Sequence, residues 1–370
     1  MMRVARTATV DARMVNDGGI GTYLQQLLPR VAGLLSDWRF TLLGDPEKFR
    51  ALGWDMTDSF RFVPCHARIF SVREQLDVAR LSPSDCDLFW SPNYGIPLLS
   101  QAPLVVTIHD VNHIALPELM GSVLRRRYAS WLLRTAVSRA REVLYVSDFT
   151  RREAMRLLGV GAARGTVAHN GVDDQWRTAR EHAPQRPLAQ PYLLYVGNIK
   201  RHKNVPFLLR AFARVVDRLP HQLILIGRTE GLRADPEVAP ALARLGGRAL
   251  MLGELDERQL LAYVAHAEAL VTASLYEGFG LPALEAMAAG TPCVVSSAGS
   301  LPEICGDAAL FADPRDEEAF AHGLLQLAGD PLLRASLVAR GRQRALQFSW
   351  DRCAQLTAAV LQRCAASVAA

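Results

Sequence analysis

The 370-residue sequence contains no C-x-x-C pair, and its six cysteines (Cys65, Cys86, Cys293, Cys305, Cys353, Cys364) have no histidine at zinc-ligand spacing. Scattered thiols of this kind read as reduced, mostly buried residues of a cytoplasmic protein rather than a disulfide framework or a metal site. No apolar run reaches the roughly 20 residues that span a bilayer. The first stretch, MMRVARTATVDARM, has no apolar h-region and does not read as a secretory signal. Low-complexity segments and short-period repeats are absent. So is an aromatic–basic platform, and the basic residues are interleaved with acids, which disfavours nucleic-acid binding.

What is present is ample core material. Half the residues are hydrophobic and 21% are charged, with a net charge of +5. The length suits about two domains. The mild basicity implies only a weak preference for anionic partners.

Short β-branched apolar runs alternate with amphipathic helical patterns. The first half offers RVARTATV, FTLL, RFVPC, DLFWSP, LVVTIHD, EVLYVS and GTVAHN, with helices predicted over 21–35, 122–141 and 148–158. The second half offers PYLLYVGN, HQLILIG, ALMLG, EALVTAS, PCVVSS and ALFADP. Such alternation predicts an α/β protein with parallel sheets covered by helices on both faces. The polar segment 174–191, with three prolines and no period, reads as a linker. It divides an N-terminal Rossmann-like domain (1–173) from a C-terminal one (192–347). The pattern from about 331 is helical, interrupted by FSWDR, and Ser349 is a plausible N-cap for a last helix within 348–370. Two such domains are expected to face each other across a cleft, with ligands beyond the carboxyl ends of the strands.

The stretch LYEGFGLPALEAMAAGTPCVVSS, 275–297, places two carboxylates in an apolar run. The predicted order is strand, glycine loop, a short helix opened by Pro282 and stopped by Gly290, then a strand. Glu277 falls in the loop and Glu285 near the first turn of the helix. Loop glycines let backbone N–H groups approach a ligand, and a helix N-terminus favours phosphate. Carboxylates beside a phosphate need hydroxyl partners, and sugar and ribose hydroxyls serve. The combination points to a nucleotide diphosphate sugar. Taken singly, each glutamate also reads as a solvated loop residue or a helix-dipole residue. Gly19 and Gly21 open a helix after the first strand. They read either as a packing turn or as a loop that presents N–H groups to a diphosphate.

The 275–297 segment resembles the E-x7-E signature of retaining glycosyltransferases of family 4, which have the GT-B fold. GGIGTY (18–23), TIHDV (107–111), VSDFTRRE (146–153), HNGVD (169–173), YVGNIKRHKN (195–204), LILIGR (223–228), GSLPEICGDAAL (299–310) and FSW (348–350) resemble further family blocks, in family order. The resemblance implies that Glu277 contacts the donor sugar and Glu285 the ribose. It implies that Gly278, Phe279, Gly280 and Leu281 supply backbone around sugar and diphosphate, and that Lys203 neutralises the diphosphate. A fixed cation there stabilises charge on the leaving group. Family members often have arginine immediately before this lysine, where this chain has His202. Arg201 and Arg228 are the alternative second cations. His109 resembles the family histidine near the donor sugar, and Asp110 either orients it or helps hold the acceptor. A last helix returning toward the N-terminal domain is also implied. So are retention by front-face attack, no metal and no cofactor besides the nucleotide sugar.

Many bacterial relatives act on lipid-linked acceptors, which implies work in surface polysaccharide or lipopolysaccharide synthesis. The basic amphipathic stretch 121–142 then reads as an anionic-membrane contact that makes the protein peripheral to the inner face of the membrane, or as an ordinary helix covering a sheet. The donor expected first is GDP-mannose, with glucose, rhamnose and galactose donors open. Two other readings stand beside this one. An NAD-dependent dehydrogenase fits Gly19-Ile20-Gly21 and Asp45, but Leu24 stands where the third glycine of G-x-G-x-x-G belongs. The other is a non-catalytic nucleotide-sugar binder.

Overall fold

The computed structural model describes residues 5–56, 59–69, 71–83, 86–119, 123–159, 165–183, 185–228 and 235–366. The chain divides into two compact units, Met1–Gly171 with Trp350–Ala370, and Val172–Ser349. The 174–191 segment therefore belongs to the second unit. It carries two helical turns, Asp174–Arg177 and Ala179–His182, the first capped by the Asp173 side chain on Gln175 N–H. Helical turns form there because Trp176 and Ala179 are buried, which the polar composition conceals.

The first unit contains β1 (Arg6–Asp11), β2 (Trp38–Gly44), β3 (Phe60–Pro64), β4 (Leu88–Ser91), β5 (Leu104–Ile108), β6 (Glu142–Tyr145) and β7 (Gly165–Val167). They form one parallel sheet in the order β3-β2-β1-β4-β5-β6-β7. The second unit contains β8 (Tyr192–Val196), β9 (Gln222–Ile226), β10 (Ala249–Gly253), β11 (Ala269–Thr272), β12 (Cys293–Ser296) and β13 (Ala309–Ala312). Their order is β10-β9-β8-β11-β12-β13, again all parallel. Each strand falls within or overlaps one of the apolar runs read from the sequence. Strands covered on both faces need continuous apolar residues, and LVVTI, ALVT and CVVS are buried at every position.

Both sheets reverse direction of growth once, between β1 and β4 and between β8 and β11. Those switch points are where open α/β sheets hold ligands beyond their carboxyl ends. In the first unit a polar core contact ties the layers there. Thr107 Oγ1 accepts from Trp90 Nε1 at 3.1 Å and lies 3.3 Å from the Tyr23 hydroxyl. The last helix, Trp350–Ala366, packs on helix Gly18–Leu34, with Trp350 6.3 Å edge-on from Tyr23 and Arg30 paired with Asp351 at 3.0 Å. In the second unit Phe207 meets Phe320 edge-to-face at 5.7 Å within a core that also takes in Phe212 and Leu225. Burying each such side chain contributes about 1.5–3 kcal/mol.

Candidate active site

β8 and β11 are hydrogen-bonded neighbours, so the loops after them emerge side by side. The chain leaves β8 through Gly197. A Cβ on Gly227, at the end of β9, would strike the Gly197 carbonyl oxygen. Two main chains cross here closely enough that only glycine fits. A 3-10 turn, Arg201–Lys203, follows.

Asn204 then adopts φ +57°, the one positive φ of a non-glycine residue among the described residues. Its Nδ2 donates to the Ala273 carbonyl at 3.1 Å and to the Pro314 carbonyl at 2.9 Å. Asparagine tolerates the left-handed region better than most residues, and the two bonds hold it there. Leu275 N–H donates to the His202 carbonyl at 2.8 Å. The basic turn is thus fastened to the end of β11.

That fastening brings Lys203 to Glu277. Lys203 Nζ donates to both carboxylate oxygens, at 2.6 and 2.8 Å. The Ser274 hydroxyl donates to Glu277 Oε1 at 2.7 Å. The two side chains are only 19% and 13% exposed. Burial pushes the Glu277 pKa up, but the Lys203 charge and bonds, His202 and Ser274 outweigh it, and the net shift is down. Gly299 braces the main chain of Glu277. A Cβ there would lie 2.5 Å from Glu277 N, and Ser300 N–H donates to the Glu277 carbonyl at 3.0 Å.

Helix Leu281–Ala289 follows, with Gly280 at its N-cap (φ +98°) and Pro282 in its first turn. Gly280 offers no capping side chain, which leaves the helix N-terminus available to an anion. Gly278 and Leu281 are half-buried, and Phe279 is buried edge-on against Phe348 at 5.9 Å. Any contact that Phe279 makes with a ligand is therefore through its main chain. Glu285 is the fifth residue of the helix, one turn in. It is half-buried and has no hydrogen-bond or ion-pair partner among the described residues. Burial, helped by the Glu257 carboxylate, pushes its pKa up to about 7.

The two arginines considered as second cation differ. Arg228 is engaged by Glu254, at 2.7 Å through Nε and 2.6 Å through Nη2. Arg201 is exposed and has no partner among the described residues.

In the first unit, Gly19 is exposed at the start of helix Gly18–Leu34, whose N-cap Asp17 makes no side-chain capping bond. Gly21 is buried, and a Cβ there would lie 2.7 Å from the Val15 carbonyl oxygen. Gly21 therefore serves packing, and Gly19 leaves an open helix start. His109 follows β5. Its Nε2 lies 2.9 Å from the Pro92 carbonyl oxygen, and its ring meets Tyr23 edge-on at 4.8 Å. A carbonyl only accepts, so Nε2 carries the hydrogen and Nδ1 is left as an acceptor. Burial lowers the His109 pKa to about 4, against opposing contributions from Pro92 and Asp110, so the ring is neutral at pH 7. Asp110 caps Asn112 N–H at 3.1 Å.

The loop between β1 and that helix is set by Arg13, which pairs with Asp11 at 2.6 Å and Glu74 at 2.5 Å and donates to the Ala67 carbonyl at 2.9 Å. Sequence reasoning overlooked Arg13, Asn204, Ser274 and Gly299. Only Asn204, in the unusual position between a basic turn and a helix, carries a signal legible in one sequence.

No group of three or more metal-ligating side chains occurs among the described residues. None of the described helices is long and apolar enough to cross a membrane.

Two parallel switch-point sheets with a lysine–glutamate pair at one carboxyl edge define a GT-B glycosyltransferase, and the comparisons agree. Residues 18–176 match "Glycosyltransferase Family 4" and residues 177–344 match "Glycosyl transferases group 1". The chain is 36% identical over 282 residues to O-antigen chain mannosyltransferase B of Escherichia coli, covering 73% of this chain and 72% of that one. It is 34% identical to a glycogen synthase of Mycobacterium tuberculosis, over 73% of this chain and 65% of that protein. Among solved structures, sucrose-phosphate synthase of Thermosynechococcus elongatus superposes with a TM-score of 0.79 at 20% identity, covering 98% and 100% of the two chains. WaaG, a glycosyltransferase involved in lipopolysaccharide biosynthesis, superposes with a TM-score of 0.74 at 15% identity, covering 95% and 98%. The chain belongs to the group 1, family 4 glycosyltransferases, retaining hexosyltransferases that take nucleotide-sugar donors.

Proposed function

We propose that the enzyme transfers a mannosyl group from GDP-mannose to a saccharide or lipid-linked saccharide acceptor in surface polysaccharide or lipopolysaccharide synthesis. The observation that carries the reading is the Lys203–Glu277 pair, followed one turn into the next helix by Glu285, a half-buried carboxylate with no partner among the described residues. In the proposed chemistry Lys203 turns from Glu277 to the diphosphate, where negative charge grows as the glycosidic bond breaks. Arg201 adds the second cation, and Gly280 and Leu281 supply the N-terminal N–H groups of their helix. Glu277 then accepts hydrogen bonds from sugar hydroxyls, and Glu285, when ionised, from the two ribose hydroxyls. Neutral His109 accepts from a sugar hydroxyl through Nδ1. The leaving diphosphate takes the acceptor proton as the new bond forms on the same face of the sugar.

Support for mannose comes from relatives named as mannosyltransferases in Escherichia coli and, at 26% identity, Salmonella typhimurium. A relative named as a glycogen synthase keeps a glucosyl donor as the second reading.

For the acceptor side, helix Val123–Arg139 exposes Leu124, Arg127, Trp131 and Arg134 at helical spacing along one face. Residues 121 and 122 lie outside the described residues. This face is proposed to touch an anionic membrane. Sedimentation with anionic vesicles should be lost on Trp131→Ala, and equal sedimentation of the variant refutes the contact.

The test of the donor is thermal stabilisation by GDP, UDP, dTDP, their sugars and NAD, followed by turnover assays. Stabilisation by GDP and GDP-mannose, removed by Glu285→Ala, is expected. Stabilisation by UDP-glucose alone moves the assignment to glucose, and stabilisation by NAD alone overturns the transferase chemistry.

A further inference from the structure

A cavity of about 650 Å3 opens at the opposite edge of the second sheet, lined by Arg180, Arg186, His266, Glu268, Gly290 and Arg334 among others. Glu268 immediately precedes β11, and the lining residue Pro292 immediately precedes β12. Lys203 and Glu277 follow the far ends of β8 and β11. At least a strand's length, on the order of 13 Å, therefore separates the two places.

The cavity lining is rich in arginines, of which only Arg186 has a carboxylate within ion-pair distance among the described residues. Elsewhere in this unit, Arg210 and Arg214 are paired with Glu317 and Arg228 with Glu254. Here Arg180 donates through Nε only to the Ala265 carbonyl at 3.1 Å. Arg334 donates to the Leu327 and Ala328 carbonyls at 3.3 and 2.7 Å. Arg342 is exposed and lies against Gly290, where a Cβ would stand 2.6 Å from its Nη2. Arg186 has one carboxylate near it, Glu268, at 3.8 Å. Three helix C-termini also reach this edge, at His266, Ala289 and Gly329. Each carries about half a negative charge, and Glu268 and the Asp330 cap of helix Pro331–Ala345 add two more, partly offset by about half a positive charge at that helix's N-terminus. Against Arg180, Arg186 and Arg334 in the lining and Arg342 beside it, about one positive charge is left over.

Behind the lining, His221 is buried and its Nδ1 has no hydrogen-bond partner among the described residues. Burial lowers its pKa, Glu268 opposes, and Arg334 and Arg248 lower it further, so the ring adds no charge at pH 7. The guanidinium groups remain the charge available to a ligand. Arginine suits phosphate because its planar fork donates two parallel hydrogen bonds. The volume is in the range of small-molecule sites.

We propose that this cavity is a second anion site, separate from the donor site, which binds a molecule bearing a phosphate or diphosphate group. The probe is inorganic pyrophosphate, titrated calorimetrically into the full chain. Two binding events are expected, and Lys203→Ala removes one of them. Arg186→Glu or Arg342→Glu, both at exposed positions, should weaken the other by at least about tenfold. Nucleoside diphosphate affinity should stay within about twofold in those two variants, which also reports that they are folded. A second arm uses phosphatidylcholine vesicles carrying phosphatidate. Capture that either reversal abolishes assigns the phosphate to a lipid headgroup, and pyrophosphate binding without capture assigns it to a soluble molecule. Pyrophosphate binding that vanishes entirely with Lys203→Ala, or that both charge reversals leave unchanged, overturns the proposal.

Discussion

Replacing Lys203 with alanine tests the site at its centre. The substitution leaves the Glu277 carboxylate, 13% exposed, with the Ser274 hydroxyl as its remaining strong donor. Removing one partner of a buried pair costs about 3–5 kcal/mol, and the partial exposure of both side chains places this case at the low end, about 3 kcal/mol. A unit of this size loses about 2–4 °C in melting temperature per kcal/mol, so a fall of about 6–12 °C is expected at pH 8. The pH dependence separates this cause from generic damage. In the parent, Glu277 has a lowered pKa, so its stabilisation is present above about pH 4.5 and is lost as pH falls through the folded value. In the variant, burial is opposed only by His202 and the Ser274 bond, so the pKa rises relative to the parent and destabilisation grows as pH rises through it. The deficit should therefore be large at pH 8 and small near pH 4. Lys203→Ala/Glu277→Gln should recover most of the loss at pH 8. Turnover should fall by at least about a hundredfold, the scale of losing one charge-stabilising donor. Calorimetric melting at the two pH values is the assay. A deficit equal at both, or no recovery in the double variant, refutes the reasoning.

Glu285, with a pKa near 7, is half protonated there in the empty enzyme. Donor affinity should strengthen by up to about tenfold per pH unit as pH rises toward 7 and then level off. Glu285→Gln should weaken binding and flatten the profile, and an unaltered profile by titration calorimetry refutes the ribose assignment. Arg13→Ala strands the buried Asp11 and Glu74 carboxylates and should cost about 3–5 kcal/mol, measured by denaturant unfolding. Asn204→Ala should be more destabilising than Asn204→Gly by about 1 kcal/mol, because both lose the same two hydrogen bonds but only alanine is strained at φ +57°. Equal melting temperatures for the pair count against a strained anchor.

The strands were legible because helices cover them on both faces. Burial on both sides demands unbroken apolar runs such as LVVTI and CVVS, and such runs show in one sequence. The helix after Glu277 was legible because Pro282 and Gly290 mark its ends. The segment 174–191 was harder to read. Its polar composition hides Trp176 and Ala179, whose burial gives the segment helical turns and a place in the second unit.

What the sequence determined by itself is whatever depends on local order: strand and helix periods, the glycines at tight crossings, and the family blocks spaced along the chain. What only the tertiary structure decided is pairing across distance. Lys203 meets Glu277 across 74 positions because β8 and β11 are neighbours at a switch point, and Asn204 clamps the turn that joins them. Arg228 meets Glu254, and Arg201 stays unpartnered among the described residues, through the same ordering of strand ends. The pKa values of Glu285 and His109 follow from burial by residues remote in sequence. Desolvation and Coulomb energy depend on spatial distance, and spacing along the chain does not encode them.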